Sequence, residues 1–410
     1  MLPQIFLADE HEINPDHIDA DALSVIGRLI DAGFQAYLVG GSVRDLLANK
    51  TPKDFDVSTS ATPEEVKRLF GKQCLIIGKR FRLAHVRFGR KIIEVATFRR
   101  GDSNEQLIVR DNVWGTPEED VMRRDFTING LFLDPVEHKV IDYVGGWEDI
   151  HKGLLRTIGD PVVRFRQDPV RMLRLIKFQA RFDFLIDPES EKALQTCRDE
   201  IIKSSSARVL EEFLRMLESG ASAAFFYRLK QHTILDIVLP WLSHFIDRHG
   251  GTEIYRYLEA VDELHRTRPN RLLRRSVLVA ALIYPVLLEE IKSQLLNRKQ
   301  TPHIGNIQHV VDGLLDAITH TPFSHFPKKM GSDLFYLLTQ QFRFTPLVSR
   351  LASKKVAVTE EFELALSFLK VRSLVNPQVL PVYEQWKEQY IKQRELKGRP
   401  PRSVKANRES

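Results

Sequence analysis

The sequence predicts an α+β fold in which a β-rich N-terminal unit with a small mixed sheet gives way, near residue 150, to an all-helical remainder. Three observations lead there. Ala36-Tyr37-Leu38-Val39 is a strand-like apolar run that breaks at Gly40-Gly41 and resumes at helical spacing through Val43-Arg44-Asp45-Leu46-Leu47. Leu75 to Ile77, Ala84 to Phe88 and Lys91 to Phe98 are three further strand-like runs, the last two joined by a turn at Gly89-Arg90. From Gly153 onward, helical periodicity dominates. A chain of 410 residues is long enough for two or more packed units.

In order, residues 1–15 are expected to be loosely ordered, and Asp16 to Leu23 to lead into a helix whose apolar face is Leu23, Ile26, Leu29 and Ile30. After the first strand, Gly40 and Gly41 offer two adjacent positions without Cβ. A polyphosphate can approach backbone there and meet the free N–H groups that open the next helix, with Ser42 and Arg44 as added donors. Lys53 to Val57 returns as a strand whose alternation sets Asp54 and Asp56 on one face, Phe55 and Val57 on the other. Two carboxylates facing one way repel each other, and an oxygen-liganded divalent cation relieves that repulsion, so Mg²⁺ beside a phosphate suits the pair. Thr62, Pro63 and Glu65 start a helix as cap, first residue and capping-box acid.

Arg99 to Trp114 is polar and rich in Asp and Asn, as expected of a mobile loop near an active face. Glu94 stands in the middle of a strand, either as a water-facing acid or as a third carboxylate near the pair; His85 reads as a packed or surface residue, since no His or Cys lies at ligand spacing. Farther on, Asp168 is expected as the N-cap of a helix with Pro169 at its first position. Asp168, Arg171 and Arg174 would share one face, and Val170, Leu173 and Ile176 would face a core.

Composition narrows the class. Hydrophobic residues are 43% and charged residues 28%, which excludes wholesale disorder. Cys74 and Cys197 form no CxxC pattern, pointing to a reducing compartment, and the N-terminal segment lacks the pattern of a signal peptide, so the cytoplasm is expected. The longest apolar run, Val277 to Leu288, contains Pro285 and falls short of the roughly 18 residues of a membrane span, so a buried helix is expected there and no membrane contact. Net charge is +6, and Lys392 to Ser410 alone carry seven basic against two acidic residues. Residues 377–410 therefore read as a basic, flexible arm.

The segment GGSVRD at 40–45, followed nine residues later by DFD at 54–56, resembles the signature of the class II nucleotidyltransferases, which comprise bacterial poly(A) polymerases and tRNA CCA-adding enzymes. The resemblance runs from about His11 to about Leu217. It implies a nucleotidyltransferase catalytic head at 1–150, a helical neck at 151–220 and a helical RNA-binding body at 221–376. It also implies ATP as substrate, RNA 3′ ends as acceptor, and two Mg²⁺ ions at Asp54 and Asp56 with support from Glu94. Arg124 and Asp125, in the matching RRDFTIN segment, would contact the ribose and support the catalytic centre, although an ordinary ion pair reads the same in sequence.

Asp168 and Arg171 match the acid and arginine of EDxxR, which read the incoming base, and Arg174 on the same face is expected to bind the nucleotide with them. Adenine and cytosine both present an amino donor beside a ring-nitrogen acceptor, whereas guanine and uracil present the opposite order, so an acceptor beside a donor takes A and C. Here Gln167 stands where the family has Glu, which leaves an acceptor without its charge. Ser206 to Leu217 resembles a helix that buttresses the base-reading one. Ile76 to Leu83 resembles the poly(A) polymerase subgroup signature, and the leader Ile18 to Leu38 that subgroup's extension. The expected activity is template-independent addition of AMP to RNA 3′ ends. The alternatives are a CCA-adding enzyme and an inactive RNA-binding protein of the same fold.

Overall fold

The computed structural model describes residues 2–78, 82–100, 113–268, 272–296, 303–348 and 356–396. The centre of the polar loop, the middle of the Ile76 to Leu83 segment and the last fourteen residues of the basic arm lie outside them. The chain packs as two units, 1–200 and 201–410, so the division falls inside the stretch expected as a neck.

The first unit is built on an eight-stranded mixed sheet. Its strands are β1 (Gln4–Leu7), β2 (Ala36–Val39), β3 (Asp56–Thr59), β4 (Cys74–Ile77), β5 (Leu83–Phe88), β6 (Lys91–Thr97), β7 (Leu131–Asp134) and β8 (Lys139–Asp142). They lie in the order β1-β8-β7-β2-β3-β6-β5-β4, with β3 and β6 parallel and all other neighbours antiparallel. β1 corrects the expectation of a loose N-terminus: Phe6 stacks on Trp147 at 4.1 Å, which anchors the strand to a distant aromatic that local sequence does not reveal.

Two helices cover one face. Helix Ala20–Asp31 is capped by Asp19, whose carboxylate accepts from the Asp21 and Ala22 amides, and it buries Ala22, Val25, Ile26 and Leu29. That face is rotated from the expected one, because Ala22 and Val25 fit closest to the sheet while Leu23 and Ile30 sit at its margin. Helix Pro63–Phe70 has the expected reciprocal cap between Thr62 and Glu65. Beneath the helices, Leu38, Val57, Ala84 and Val95 are fully buried.

Strand register puts Ile141, Phe132, Val39, Asp56, Glu94 and His85 in one cross-strand row on the opposite face. Phe98, Val121 and Ile158 pack over the Val39, Phe132 and Ile141 half of that row. The other half keeps its two acids open to solvent. The unit ends in helices Gly146–Lys152, Pro161–Gln167, Val170–Phe182 and Pro188–Cys197, with a two-stranded parallel ribbon of Leu154–Leu155 and Leu185–Ile186 among them.

The second unit is helical among the described residues. Helix Arg275–Ile291 is buried from Ser276 through Leu287, because helices Thr252–Thr267, Ile304–Thr319, Lys328–Phe344 and Glu360–Val375 all pack against it. This is the expected buried apolar run, and among the described residues no helix is long and apolar enough to cross a membrane. Residues 377–396, expected as the start of a flexible arm, instead form a 3₁₀ turn, Pro377–Val379, and helix Leu380–Leu396. Trp386 and Tyr390 lie four residues apart and pack on Phe344 and Phe362, with ring centroids 5.0 and 5.8 Å apart. Pro377 and Pro381 stand in the first turns of these two elements, where the missing N–H costs no bond.

Candidate active site

β3 begins at Asp56, directly opposite Glu94 on β6 and Val39 on β2. Asp54 precedes the strand rather than lying within it, yet remains close enough to act on Asp56 electrostatically. Asp56 is reachable by solvent but crowded by protein, and that crowding, then Glu94 and then Asp54, push its carboxyl up to about 6. Arg124 opposes the rise. Glu94 is half exposed, and its Oε1 lies 3.7 Å from His85 Nε2, so the histidine expected as a packed or surface residue touches this acid. Among the described residues, no three His, Cys, Asp or Glu side chains are closed into a ready metal-ligating set. The donor chemistry fits Mg²⁺ nonetheless: hard carboxylate oxygens, like-charged and crowded, on an open part of the sheet face.

Next to these acids, Gly40 adopts φ +67°, a conformation that favours glycine. A Cβ at Gly40 would come 3.2 Å from Arg124 Nη1. Arg124 donates through Nη2 to Asp120 Oδ2 at 2.9 Å and to Ser58 Oγ at 3.3 Å, and through Nη1 to the Asn129 carbonyl at 3.3 Å. Ser58 follows Asp56 by two residues on β3, so the arginine is tied to the same face as the acid.

Behind the glycine turn lies a closed network of charge. Arg44 is 4% exposed. Its Nε and Nη2 donate to Asp45 Oδ1 at 2.9 and 2.7 Å, and its Nη1 donates to Asn129 Oδ1 at 2.6 Å. The guanidinium carbon sits 4.7 and 4.8 Å from the ring centres of Phe178 and Phe182. Arg44, expected to donate to a phosphate, is therefore turned inward, since a buried guanidinium is stable only with its donors matched. Ser42 is likewise buried and donates to the Val39 carbonyl at 3.1 Å.

Asn129 Nδ2 donates to Asp125 Oδ1 at 2.9 Å, and Arg174 Nη2 lies 2.8 Å from Asp125 Oδ2, an ion contact off the hydrogen-bond line. Arg181 Nη2 closes the far end on Asp45 Oδ2 at 2.8 Å. Burial alone would raise the Asp125 carboxyl, but Arg174, the Asn129 amide and Arg171 together hold it below the usual range. Asp125 and Arg174, both expected to touch nucleotide, thus grip each other, and Asp125 is only 5% exposed.

The next helix starts at Val170, with Pro169 as its cap residue, and Asp168 is the C-cap of Pro161–Gln167. This corrects the expected N-cap by one position: the Asp168 backbone is extended, at φ −149° and ψ 90°, and a separate short helix precedes it. Arg171 is buried, donating through Nη1 to the Arg164 carbonyl and through Nη2 to the Arg123 carbonyl, both at 3.1 Å. Gln167 is also buried, and its Oε1 accepts from Arg164 Nη1 at 2.9 Å.

Residues 36–156 match the family described as the Poly A polymerase head domain, and residues 183–246 that described as a probable RNA and SrmB-binding site of polymerase A. Poly(A) polymerase I of Haemophilus influenzae is 39% identical over 303 residues, covering 70% of this chain and 67% of that protein. The chain belongs to the class II nucleotidyltransferase family. It spans 63 to 67% of the length of the poly(A) polymerases it matches. The CCA-adding enzyme of Lactobacillus helveticus is 39% identical over 197 residues, 48% of this chain and 49% of that protein. The solved Bacillus stearothermophilus CCA-adding enzyme in complex with CTP shares the fold, with a TM-score of 0.66, 23% identity, and 93% of this chain and 88% of that one covered.

For a member of the class II nucleotidyltransferases, the structure adds Asn129, Asp45, Arg181, Asp120 and Arg164 to the residues singled out from sequence. Three had a signal: Asn129 closes the RRDFTIN segment four residues after Asp125, Asp120 precedes Arg124 by four, and Arg164 precedes Arg171 by seven, two turns of helix had no break intervened. Asp45 stands in GGSVRD, but its pairing with Arg181 had no signal, because it joins segments 136 residues apart.

Proposed function

We propose that the protein is a template-independent RNA nucleotidyltransferase that adds AMP from ATP to RNA 3′ ends. The observation that carries this reading is the convergence of Asp56, Glu94, Arg124 and the Gly40 turn on one open part of a sheet face. The RNA 3′-hydroxyl oxygen attacks the α-phosphorus of ATP in line, forming one P–O bond as the bond to the β-phosphate breaks. Pyrophosphate leaves, the hydroxyl proton passes to solvent, and no covalent enzyme intermediate is needed. Two Mg²⁺ ions held by Asp54 and Asp56, with Glu94 beside them, would favour the attacking alkoxide and neutralise the departing pyrophosphate.

The chain's own residues do the rest. Gly40 and Gly41 leave room for the triphosphate along the backbone, and Arg124, tethered at Ser58 and Asp120, presents its charge beside that room. Asp125 acts as a positioning residue, holding Asn129 and Arg174 rather than substrate. Asp168 and Arg171 read the base as acceptor and donor, and mispaired G or U would leave buried polar groups unsatisfied.

Poly(A) synthesis is favoured because the named poly(A) polymerases match 68 to 70% of this chain, against 48 to 55% for the named CCA-adding enzymes. CCA addition is the second reading, since the base-reading pair serves C and A alike. The test supplies each nucleotide separately with a tRNA lacking its end and with an unrelated RNA. Long heterogeneous tails from ATP on both RNAs are expected, with CTP used poorly and GTP and UTP rejected. Synthesis that stops after three residues, needs CTP and occurs only on the tRNA would establish the second reading.

A further inference from the structure

Arg164 is a buried arginine that forms no ion pair among the described residues. It is 9% exposed, yet its partners are neutral: Nη2 donates to the Arg124 carbonyl at 2.7 Å and Nη1 to Gln167 Oε1 at 2.9 Å. Its Nε has no hydrogen-bond partner among the described residues. Burial and then the nearby Arg171 pull its guanidinium down to about 10. Asp125 and Asp168 offset part of that pull without touching the guanidinium, and a buried cation with no carboxylate in contact is costly, so its geometry needs a reason.

That reason is legible in what the two arginines hold. Arg164 grips the carbonyl of Arg124 from helix Pro161–Gln167, and Arg171 grips the carbonyl of Arg123 from helix Val170–Phe182. These are consecutive carbonyls on the segment that carries Arg124 and leads into Asp125. Arg171 also grips the main chain of Arg164 itself, and the Asp168 amide donates to the same Arg164 carbonyl at 3.2 Å. Asp168 and Arg171 are thereby fixed at one height relative to Arg124. Two Nη hydrogens of Arg171 are engaged rearward, which selects which of its remaining N–H groups can meet a base. Gln167 completes the clasp because a neutral acceptor aims Arg164 without pairing its charge.

We propose that Arg164, aimed by Gln167, is a specificity-determining positioning residue that sets base discrimination by clasping the base-reading helix to the Arg123–Asp125 segment. The inference rests on the nucleotidyltransferase reading and touches selectivity rather than the chemical step. Its signature is a split between parameters: the clasp fixes which base fits, while Asp54, Asp56 and Arg124 keep their own supports.

The experiment measures kcat and KM for all four nucleotides with the full chain and with Arg164→Ala, Arg164→Lys and Gln167→Met, with melting temperatures alongside. In Arg164→Ala the ratio of kcat/KM for ATP to that for GTP or UTP should fall by about tenfold, the equivalent of one buried hydrogen bond, while kcat for ATP falls much less. Arg164→Lys keeps the charge but loses the fork, so it should lose discrimination similarly. Gln167→Met keeps volume but removes the acceptor, and should give a smaller loss in the same direction. A folded Arg164→Ala or Gln167→Met with wild-type base preference would overturn the inference alone. If Arg164→Ala does not fold, Gln167→Met decides. A wild-type protein that transfers no nucleotide to any RNA would overturn both the functional reading and this inference.

Discussion

On the open part of the sheet face, Asp54, Asp56 and Glu94 crowd like charge with Arg124 in opposition; behind the glycine turn, Asp45 lies against Arg44 and Arg181, and Asp125 against Arg174. One region carries repulsion between carboxylates that a bound cation can relieve, and in the other each carboxylate is already offset by guanidinium charge. The contrast shows in the two carboxyls, because Asp56 is pushed up to about 6 while Asp125, though more deeply buried, is held below its usual range. Burial raises both, and the sign of the neighbouring charge decides the outcome. A site that must admit ligand is left unmatched, while the frame that supports it is matched in advance.

The comparison breaks most sharply at Asp56. On the proposed metal-assisted reading, Asp56→Asn should reduce nucleotide incorporation by about a hundredfold or more, because an amide cannot supply the charge that would hold Mg²⁺. The same change should leave metal-free stability equal to wild type or raise it slightly at pH 7, since it removes like-charge crowding. Mg²⁺ should raise the melting temperature of wild type and not of the variant. Retention of a tenth of wild-type turnover would show that the acid does not hold the metal. Asp54→Asn should behave alike in turnover.

Substitution in the matched network should do the reverse, costing stability first. Arg44→Ala takes the donor from Asp45 Oδ1 and Asn129 Oδ1, with Arg181 left on Asp45 Oδ2, and empties the space between Phe178 and Phe182, so unfolding in urea should show a loss of about 3–5 kcal/mol. A loss under 1 kcal/mol would mean that water or repacking replaces the network.

pH sharpens the same contrast at smaller amplitude. Folded Asp56 keeps its proton up to about pH 6, whereas an unfolded aspartate releases it near 3.8, so the folded state holds the extra proton between them. Without metal, stability should therefore decline as pH rises from about 4 to about 6, and Asp56→Asn should flatten that slope. Asp125 has the opposite sign: its contribution is present above about 3.8 and lost as pH falls through its lowered value. Melting curves across this range with Asp56→Asn and Asp125→Asn separate the two contributions.

The smallest effect lies outside both clusters. Removing residues 397–410 deletes five basic side chains and should flatten the slope of log RNA affinity against log salt by roughly 0.7 for each phosphate that is no longer neutralised. An unchanged slope would mean that these side chains meet no phosphate.

Much of this was available from local sequence. Period-two alternation placed Asp56 opposite Val57, the Thr62 cap followed from side-chain chemistry, and the apolar length of Val277 to Leu288 required burial. GGSVRD and DFD gave the family because residue type and spacing are what a phosphate turn and a carboxylate strand impose. What local sequence could not convey was direction. Arg44 reads as a donor beside a glycine turn, but only the arrival of Phe178, Phe182 and Asn129 turns it inward.

Single-residue type and short spacing thus determined the elements, the family and the acids of the open face, because these depend on contacts within a few residues. The tertiary structure alone decided which charges are matched. The Asp45–Arg181 pair, the clasp of Arg164 on Arg124 and the packing of Trp386 on Phe344 each join positions 40 to 136 residues apart. At such separations a charged side chain has the same sequence signature whether it meets water, a carbonyl or a carboxylate. Its partner is selected by how the sheet and helices pack, and that selection separates the charge left open for a ligand from the charge closed into the frame.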